Sequence, residues 1–268
     1  MRLPDSEKKR LMHQYGPWAL VTGATSGIGL ELAMQLADAG FNLVINARQI
    51  ETLQATADSL SKTYGIRVIP VAADNAEPEG IEQIIETCRP LDLNLVVLAA
   101  GYGTSGRFTE SSLLTEINLL RVNCEAVLSL THYFAQKFAR QQRGGIILFS
   151  SIVAFQGVPF SANYAASKAY IQSLAEALAV ELQPSGVDIL AAAPGPVASG
   201  FAQRANMNMG QTLTPQQVGV PILKALGRTS LVRPGLLTKI LSYALMTAPR
   251  ALKVRIMGKI MGGFTGNK

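Results

Sequence analysis

Residues 18–40 read WALVTGATSGIGLELAMQLADAG. The first five are a short apolar run suited to a buried strand, and from Ile28 onward the apolar positions take helical spacing. Between them lies the turn Thr22-Gly23-Ala24-Thr25-Ser26-Gly27-Ile28-Gly29. Glycines in such a turn allow positive φ and let the backbone approach a pyrophosphate closely, while the following helix offers free N–H donors and the positive end of its dipole. Strand, glycine turn and helix in that order are the context in which a dinucleotide is bound. Gly23, Thr25, Ser26, Gly27 and Ile28 are therefore candidate cofactor contacts.

Outward from this unit the pattern repeats. FNLVIN (41–46), IRVIPV (66–71), LNLVVLA (93–99), GIILFS (145–150) and VDILAAA (187–193) are near-continuously apolar, as expected of parallel strands covered on both faces. Helical spacing runs near 28–39, 49–63, 78–88, 112–140 and 161–182. The alternation predicts an α/β fold: a Rossmann-type doubly wound parallel sheet, three layers deep, in a single domain over 1–268. A chain of 268 residues, 48% of them hydrophobic, is long enough to bury one large core. After Pro194 the residues turn small and polar, so 198–225 is expected to be a variable substrate loop, mobile or built of short helices.

Charge and composition exclude several classes. No apolar stretch reaches the roughly 18 residues of a membrane span, and the polar N-terminus lacks a signal-peptide core, so a cytoplasmic location is expected by default. Cys88 and Cys124 lie far apart, and His13 and His132 are the only histidines, so neither metal nor redox spacing is present. Residues 189–268 hold 10 basic and no acidic groups. These bases are interleaved with Leu, Ile and Met, which argues against nucleic acid. The basic end serves either to attract an anionic cofactor, to fold over the acidic part, or to touch an anionic membrane surface.

The second strand ends Asn46-Ala47-Arg48, where such folds select their cofactor. A carboxylate there would hydrogen-bond a ribose 2′-hydroxyl, whereas Arg48 beside the uncharged Ala47 suits a 2′-phosphate and favours NADP(H). Farther on, Tyr164-Ala-Ala-Ser-Lys168 sets a phenol and an ammonium four residues apart on one helix face, just after Ser150-Ser151 at a strand end. An ammonium beside a phenol is expected to lower the phenol's pKa.

In these motifs the chain resembles the short-chain dehydrogenase/reductase family: the glycine turn, Asp74 after the third strand, Val122-Asn123, Ser151 thirteen residues before Tyr164, Lys168, and Pro194-Gly195-Pro196-Val197. The resemblance implies an NADP(H)-dependent oxidoreductase with a tetrad of Asn123, Ser151, Tyr164 and Lys168. Ser151 would hydrogen-bond the carbonyl oxygen, Tyr164 would exchange its proton, Lys168 would hold the nicotinamide ribose, and Asn123 would anchor a water. It further implies adenine contacts from Asp74 and Asn75, a path along Ala100 and Gly101, and a nicotinamide end at Pro194, Val197 and Ser199. Two departures stand out: Leu98-Ala99-Ala100-Gly101 replaces the family's usual Asn-Asn-Ala-Gly, and Ser199 stands where threonine is common.

The tail, 236–264, is rich in Leu, Ile and Met with Lys239, Arg250, Lys253, Arg255 and Lys259 between them. Leu236, Leu237, Ile240, Leu241, Ala244 and Leu245 recur at helical spacing, and Pro249 breaks or starts a helix. Basic, apolar C-terminal helices are expected to roof a cleft or meet a subunit, or else to lie on lipid. An apolar roof points to a hydrophobic carbonyl or alcohol, acyl or steroid-like, and the opening RLMHQYGPWALVTGA resembles family members acting on ketoacyl or other lipid-like substrates. Met207 and Met209 are candidates to line that pocket. Family members pair the helices near 112–140 and 161–182 across a two-fold axis, which implies a homodimer or homotetramer. A nucleotide-binding regulatory protein without turnover, and a peripheral membrane protein using its basic tail, remain as alternatives.

Overall fold

The computed structural model describes residues 2–205, 207, 210, 212–236, 238–239, 243 and 247–265. Among them the sheet has seven parallel strands, β1 (Trp18–Thr22), β2 (Asn42–Ala47), β3 (Val68–Ala72), β4 (Leu93–Leu98), β5 (Gly144–Phe149), β6 (Val187–Ala192) and β7 (Leu231–Val232), in the order β3-β2-β1-β4-β5-β6-β7. The order reverses between β1 and β4, and the carboxyl ends of these strands face the crevice where such sheets bind ligands. In register, Val21 pairs with Ile45 on one side and Val97 on the other.

Alternation along each strand explains the unbroken apolar runs. Leu95 and Val97 enter one buried core with α1 (Asp5–Tyr15), α2 (Gly27–Asp38), α3 (Ile50–Tyr64) and a helix over Pro215–Ala225. Val96 and Leu98 point the other way, into a core with α4 (Pro78–Cys88), α6 (Ala126–Gln141) and α7 (Ala162–Glu181). The doubly wound, three-layer architecture is thus observed, with both sheet faces buried.

Four features depart from the sequence reading. The polar N-terminus forms α1, stapled by Tyr15 and Gln14, which donate to Asp188 Oδ2 over 2.7 and 3.0 Å, and by Arg10, which donates to Leu223 O and Leu226 O. Its stability is tertiary, which a polar sequence conceals. The expected long helix at 112–140 is α5 (Leu113–Leu120) and α6 joined by a π-turn at Arg121–Glu125. β7 adds a strand.

The fourth departure corrects the loop expected at 198–225. That segment holds the short α8 (Phe201–Arg204) and ends in a full helix, α9 (Pro215–Ala225). Thr214 Oγ1 accepts from Gln217 N while Gln217 Oε1 accepts from Thr214 N, a reciprocal cap, and Val218, Ile222 and Leu223 are buried against α2. Of that segment, Ser199, Phe201 and Met207, all before α9, line a pocket. At the C-terminus α10 (Arg250–Thr265) is present, whereas Leu237, Ile240, Leu241, Ala244 and Leu245, and likewise Met209, lie outside the described residues. Among the described residues no helix is long and apolar enough to cross a membrane, and no side-chain group could hold a metal ion.

Candidate active site

The glycine turn sits at the carboxyl end of β1. Gly23 has φ +66°, and a Cβ there would stand 2.9 Å from Ala100 Cα, so both conformation and space demand glycine. A Cβ at Gly29 would overlap the Gly23 carbonyl oxygen, which is how the first turn of α2 closes so tightly on the strand. Thr22 Oγ1 accepts from Ala100 N over 3.1 Å, tying β1 to the segment after β4. Ser26 begins α2 without a side-chain cap, which leaves its first-turn N–H groups for an anion.

From this turn a cleft of about 650 Å³ runs to the ends of β2 and β3, lined by Thr25, Ser26, Arg48, Asn75, Gly101 and Arg204, among others. Asn46 is buried and donates from Nδ2 to Val71 O and Ala73 O, both at 3.0 Å, so the floor is braced across β2 and β3. The Arg48 guanidinium is largely exposed and stands 4.0 Å from Asp74 Oδ2. Asp74 Oδ1 accepts from Ala76 N, which turns the chain past β3. Asn75 is buried, and its Oδ1 has no hydrogen-bond partner among the described residues. Sequence reasoning missed Arg204, because a lone arginine in a polar segment carries no spacing signal.

The four tetrad residues converge at the other end. Ser151 closes β5 and accepts from Val153 N, opening the 3-10 turn Ile152–Phe155. Tyr164 and Lys168 project from the first turns of α7, and both line the inner compartment with Gly101 and Pro194. Asn123 is buried in the π-turn; its Oδ1 accepts from Tyr102 N at 3.1 Å while its Nδ2 donates to Tyr102 O at 2.9 Å and to Ser167 Oγ at 3.1 Å. Thr22 and Asn123 thus brace the segment that lacks the family's asparagines. Sequence reasoning also passed over a clamp on the start of α7: Glu116 Oε2 accepts from Asn163 Nδ2 at 2.7 Å and from Thr104 Oγ1 at 3.1 Å.

Electrostatics here correct one expectation. Burial pushes the Tyr164 phenol up to about 12, opposed by the Ser151 hydroxyl, which reaches it and favours the ionised form. Burial also pushes Lys168 down to about 8. The Lys168 ammonium donates to Phe149 O at 2.9 Å and lies 5.7 Å from the Tyr164 ring centroid. Burial is the larger influence on the phenol, so the lowering expected from the Tyr-Lys spacing is not seen in the protein alone.

A second, apolar compartment of about 220 Å³ meets the first at Tyr164, Ser199 and Phe201. Ser151, Val153, Val197 and Met207 line it, and α10 roofs it with Met257, Met261 and Phe264. The Phe201 ring packs on Tyr164, with centroids 5.3 Å apart. Ser199 Oγ donates to Val197 O and lies against the glycine turn, where a Cβ on Gly27 would come within 2.6 Å of its own Cβ. The apolar stripe of the last helix therefore faces the pocket, as one of the expectations for the tail required.

Known proteins share this fold. The family model described as short chain dehydrogenase matches residues 17–210. The chain is 31% identical over 179 residues to a 7beta-hydroxysteroid dehydrogenase of Collinsella aerofaciens, an alignment covering 67% of this chain and 68% of that one. It is 30% identical over 244 residues to a very-long-chain 3-oxoacyl-CoA reductase of Ajellomyces capsulatus, covering 87% and 68%. Among solved structures, one from work on 7beta-hydroxysteroid dehydrogenase stereoselectivity superposes with a TM-score of 0.85 at 26% identity over 92% of this chain and 98% of that one. A short-chain dehydrogenase from Sphingobium yanoikuyae in complex with NADPH gives 0.79 at 25% identity over 88% and 98%. The chain belongs to the short-chain dehydrogenase family and is an oxidoreductase that interconverts carbonyl and alcohol groups.

Proposed function

We propose that this enzyme moves hydride between NADP(H) and the carbon of a lipid-like ketone or alcohol, with Tyr164 as proton donor and acceptor. One observation carries the reading: Tyr164 lines both the apolar pocket and the inner compartment, and that compartment shares Gly23, Ser26, Gly101 and Arg204 with the long polar cleft. The polar cleft fits a phosphate-bearing dinucleotide. The uncapped N-terminus of α2 suits the diphosphate, the buried and unpartnered Asn75 Oδ1 suits an adenine amino group, and Arg48 suits a 2′-phosphate. Such a dinucleotide supplies the hydride, or accepts it in the oxidative direction.

The chain's own groups do the rest. Hydride arriving at a carbonyl carbon builds charge on oxygen, and donors already in place lower the barrier. Ser151 Oγ hydrogen-bonds that oxygen, and Tyr164 Oη passes it a proton. Lys168, fixed by Phe149 O, holds the ribose side of the cleft and keeps positive charge near the phenol. Asn123, where the π-turn interrupts the helical ladder, anchors a water that relays a proton to Lys168. The apolar lining from Val153, Met257, Met261 and Phe264 selects a hydrophobic substrate. Relatives named for steroid and long-chain acyl substrates support that class. A panel of ketones and alcohols graded by chain length and ring number, followed by NADPH absorbance, tests it. Preference for small polar carbonyls would overturn the substrate class.

Cofactor choice rests on Arg48. An exposed ion pair at 4.0 Å with Asp74 holds the guanidinium only weakly, so it is available to a phosphate. A charge-assisted bond of about 1.5–3 kcal/mol gives NADPH roughly a tenfold to hundredfold advantage over NADH, and Arg48→Asp is expected to erase or reverse it. Equal affinities of the wild type for both cofactors in titration calorimetry would sink the assignment.

The same reading includes a two-fold dimer through α5, α6 and α7. Leu120 and Leu128 stand exposed on either side of Cys124, whose thiol lies against Ser167 O, and Tyr170 is exposed nearby on α7. Light scattering at micromolar concentration is expected to give a multiple of the chain mass, and Leu128→Asp to reduce it to one chain. A monomeric wild type refutes this interface.

A further inference from the structure

We propose that the outer face of α10 docks on an anionic lipid surface and holds the mouth of the apolar pocket against it. The docking stands on charge and exposure. Passage of substrate from lipid into the pocket rests in addition on the lipid-like substrate proposed above.

The geometry of α10 separates two faces. Met257 and Met261 are buried over the pocket, and Gly258 lies so close to the loop before α7 that a Cβ would stand 3.2 Å from Pro159 Cγ. On the opposite side Leu252, Arg255 and Lys259 are exposed. Ile260 is 39% exposed and also lines the pocket, so the rim of the pocket lies on the outward edge of this helix. Leu236 and Tyr243, in the segment leading to α10, are 75% and 61% exposed.

Charge chooses the occupant. No acidic residue occurs after Asp188. Of the ten bases beyond it, Arg228 pairs with Glu7, Arg204 lines the cofactor cleft, and Arg233 stacks on Phe155 at 4.7 Å. Among the described residues Lys239, Arg250, Lys253, Arg255 and Lys259 form no ion pair. A helix face that mixes unpaired bases with exposed leucine and isoleucine, without acids, matches the pattern of an interfacial helix. A second copy of the chain is disfavoured, because a two-fold contact would set these like charges against one another. Nucleic acid is disfavoured by the large aliphatic side chains on the same face.

The test uses the full-length protein and vesicles of phosphatidylcholine, with or without phosphatidylglycerol. Co-sedimentation is expected with the phosphatidylglycerol vesicles only, and it should disappear in about 1 M salt, where the screening length falls to about 3 Å. Each base near such a surface is worth about a fivefold change in partitioning, so Arg255→Glu with Lys259→Glu should weaken binding by about thirtyfold or more. NADPH affinity and the circular dichroism spectrum, which the variant should keep, report that it is folded. A Leu252→Trp probe, on the wild-type charge background, should shift to the blue and be quenched by brominated lipid. The proposal is overturned by equal binding to both vesicle types, by unchanged binding of the double variant, or by a Leu252→Trp signal that vesicles leave alone. Loss of self-association in the double variant without any vesicle binding would show instead that this face is a subunit contact. None of these readouts uses turnover, so a wrong substrate class leaves the docking result standing.

Discussion

Tyr164→Phe is expected to abolish turnover while leaving the fold and NADPH affinity in place. The substitution removes one hydroxyl and keeps the ring that packs against Phe201. A positioned general acid is worth typically about 10²- to 10⁴-fold, and in the proposed mechanism this phenol also stabilises charge on the substrate oxygen, so the loss should reach the upper end or pass it. The pH behaviour follows from the phenol's environment. Burial holds it at about 12, so it stays protonated for reduction across the neutral range. Oxidation needs the phenolate, whose fraction grows with pH below that value. The oxidative rate of the wild type should therefore climb with pH, and the climb should vanish in Tyr164→Phe. Near-normal turnover of this variant on a good substrate would refute the mechanism and leave a nucleotide-binding protein whose chemistry lies elsewhere.

Lys168→Met is expected to move activity and stability in opposite directions. Lys168 is buried with its ammonium on Phe149 O, and burial pushes its pKa down to about 8 from an ordinary value of 10.5. Because the folded value lies below the unfolded one, the unfolded chain binds more protons between them. The cost of burying the charge is fully present below about pH 8 and fades as the pH rises towards 10.5. Methionine fills similar space without charge, so the variant should be more stable at pH 7 by on the order of 1–3 kcal/mol, less the loss of the bond to Phe149 O, and the gap should close at alkaline pH. Turnover should fall by at least about 100-fold, since positive charge beside the phenol is gone, and NADPH affinity should fall with the ribose contact. Denaturant melts at pH 7 and pH 10 with parallel kinetics check both. A variant that is less stable at pH 7, or as active as wild type, contradicts the role given to Lys168.

Much of the architecture was legible because period and punctuation are local. Strands buried on both faces read as unbroken apolar runs, and six of the seven described strands announce themselves in that way. β7 does not, since two residues at the sheet edge leave almost no pattern. α9 carried a readable signal in Thr214-Pro215-Gln216-Gln217, a cap followed by apolar residues, which the small and polar residues before it obscured. α1 carried none, because its place depends on bonds from Tyr15, Gln14 and Arg10 to residues more than 170 positions away.

The same division holds for the site. Sequence by itself determined the doubly wound fold, the glycine turn, the basic residue Arg48 at the end of β2 and the order of Ser151, Tyr164 and Lys168, because each depends on residue type at short spacing. Tertiary structure alone decided what those groups experience. It brought Arg204 and Phe201 over the cleft, set Glu116 behind the start of α7, and laid the methionines of α10 across the pocket. It also reversed the expected shift of the Tyr164 phenol. A spacing of four residues places an ammonium near a phenol, but the sign of a pKa shift depends on desolvation by residues far along the chain, and that is a property of packing.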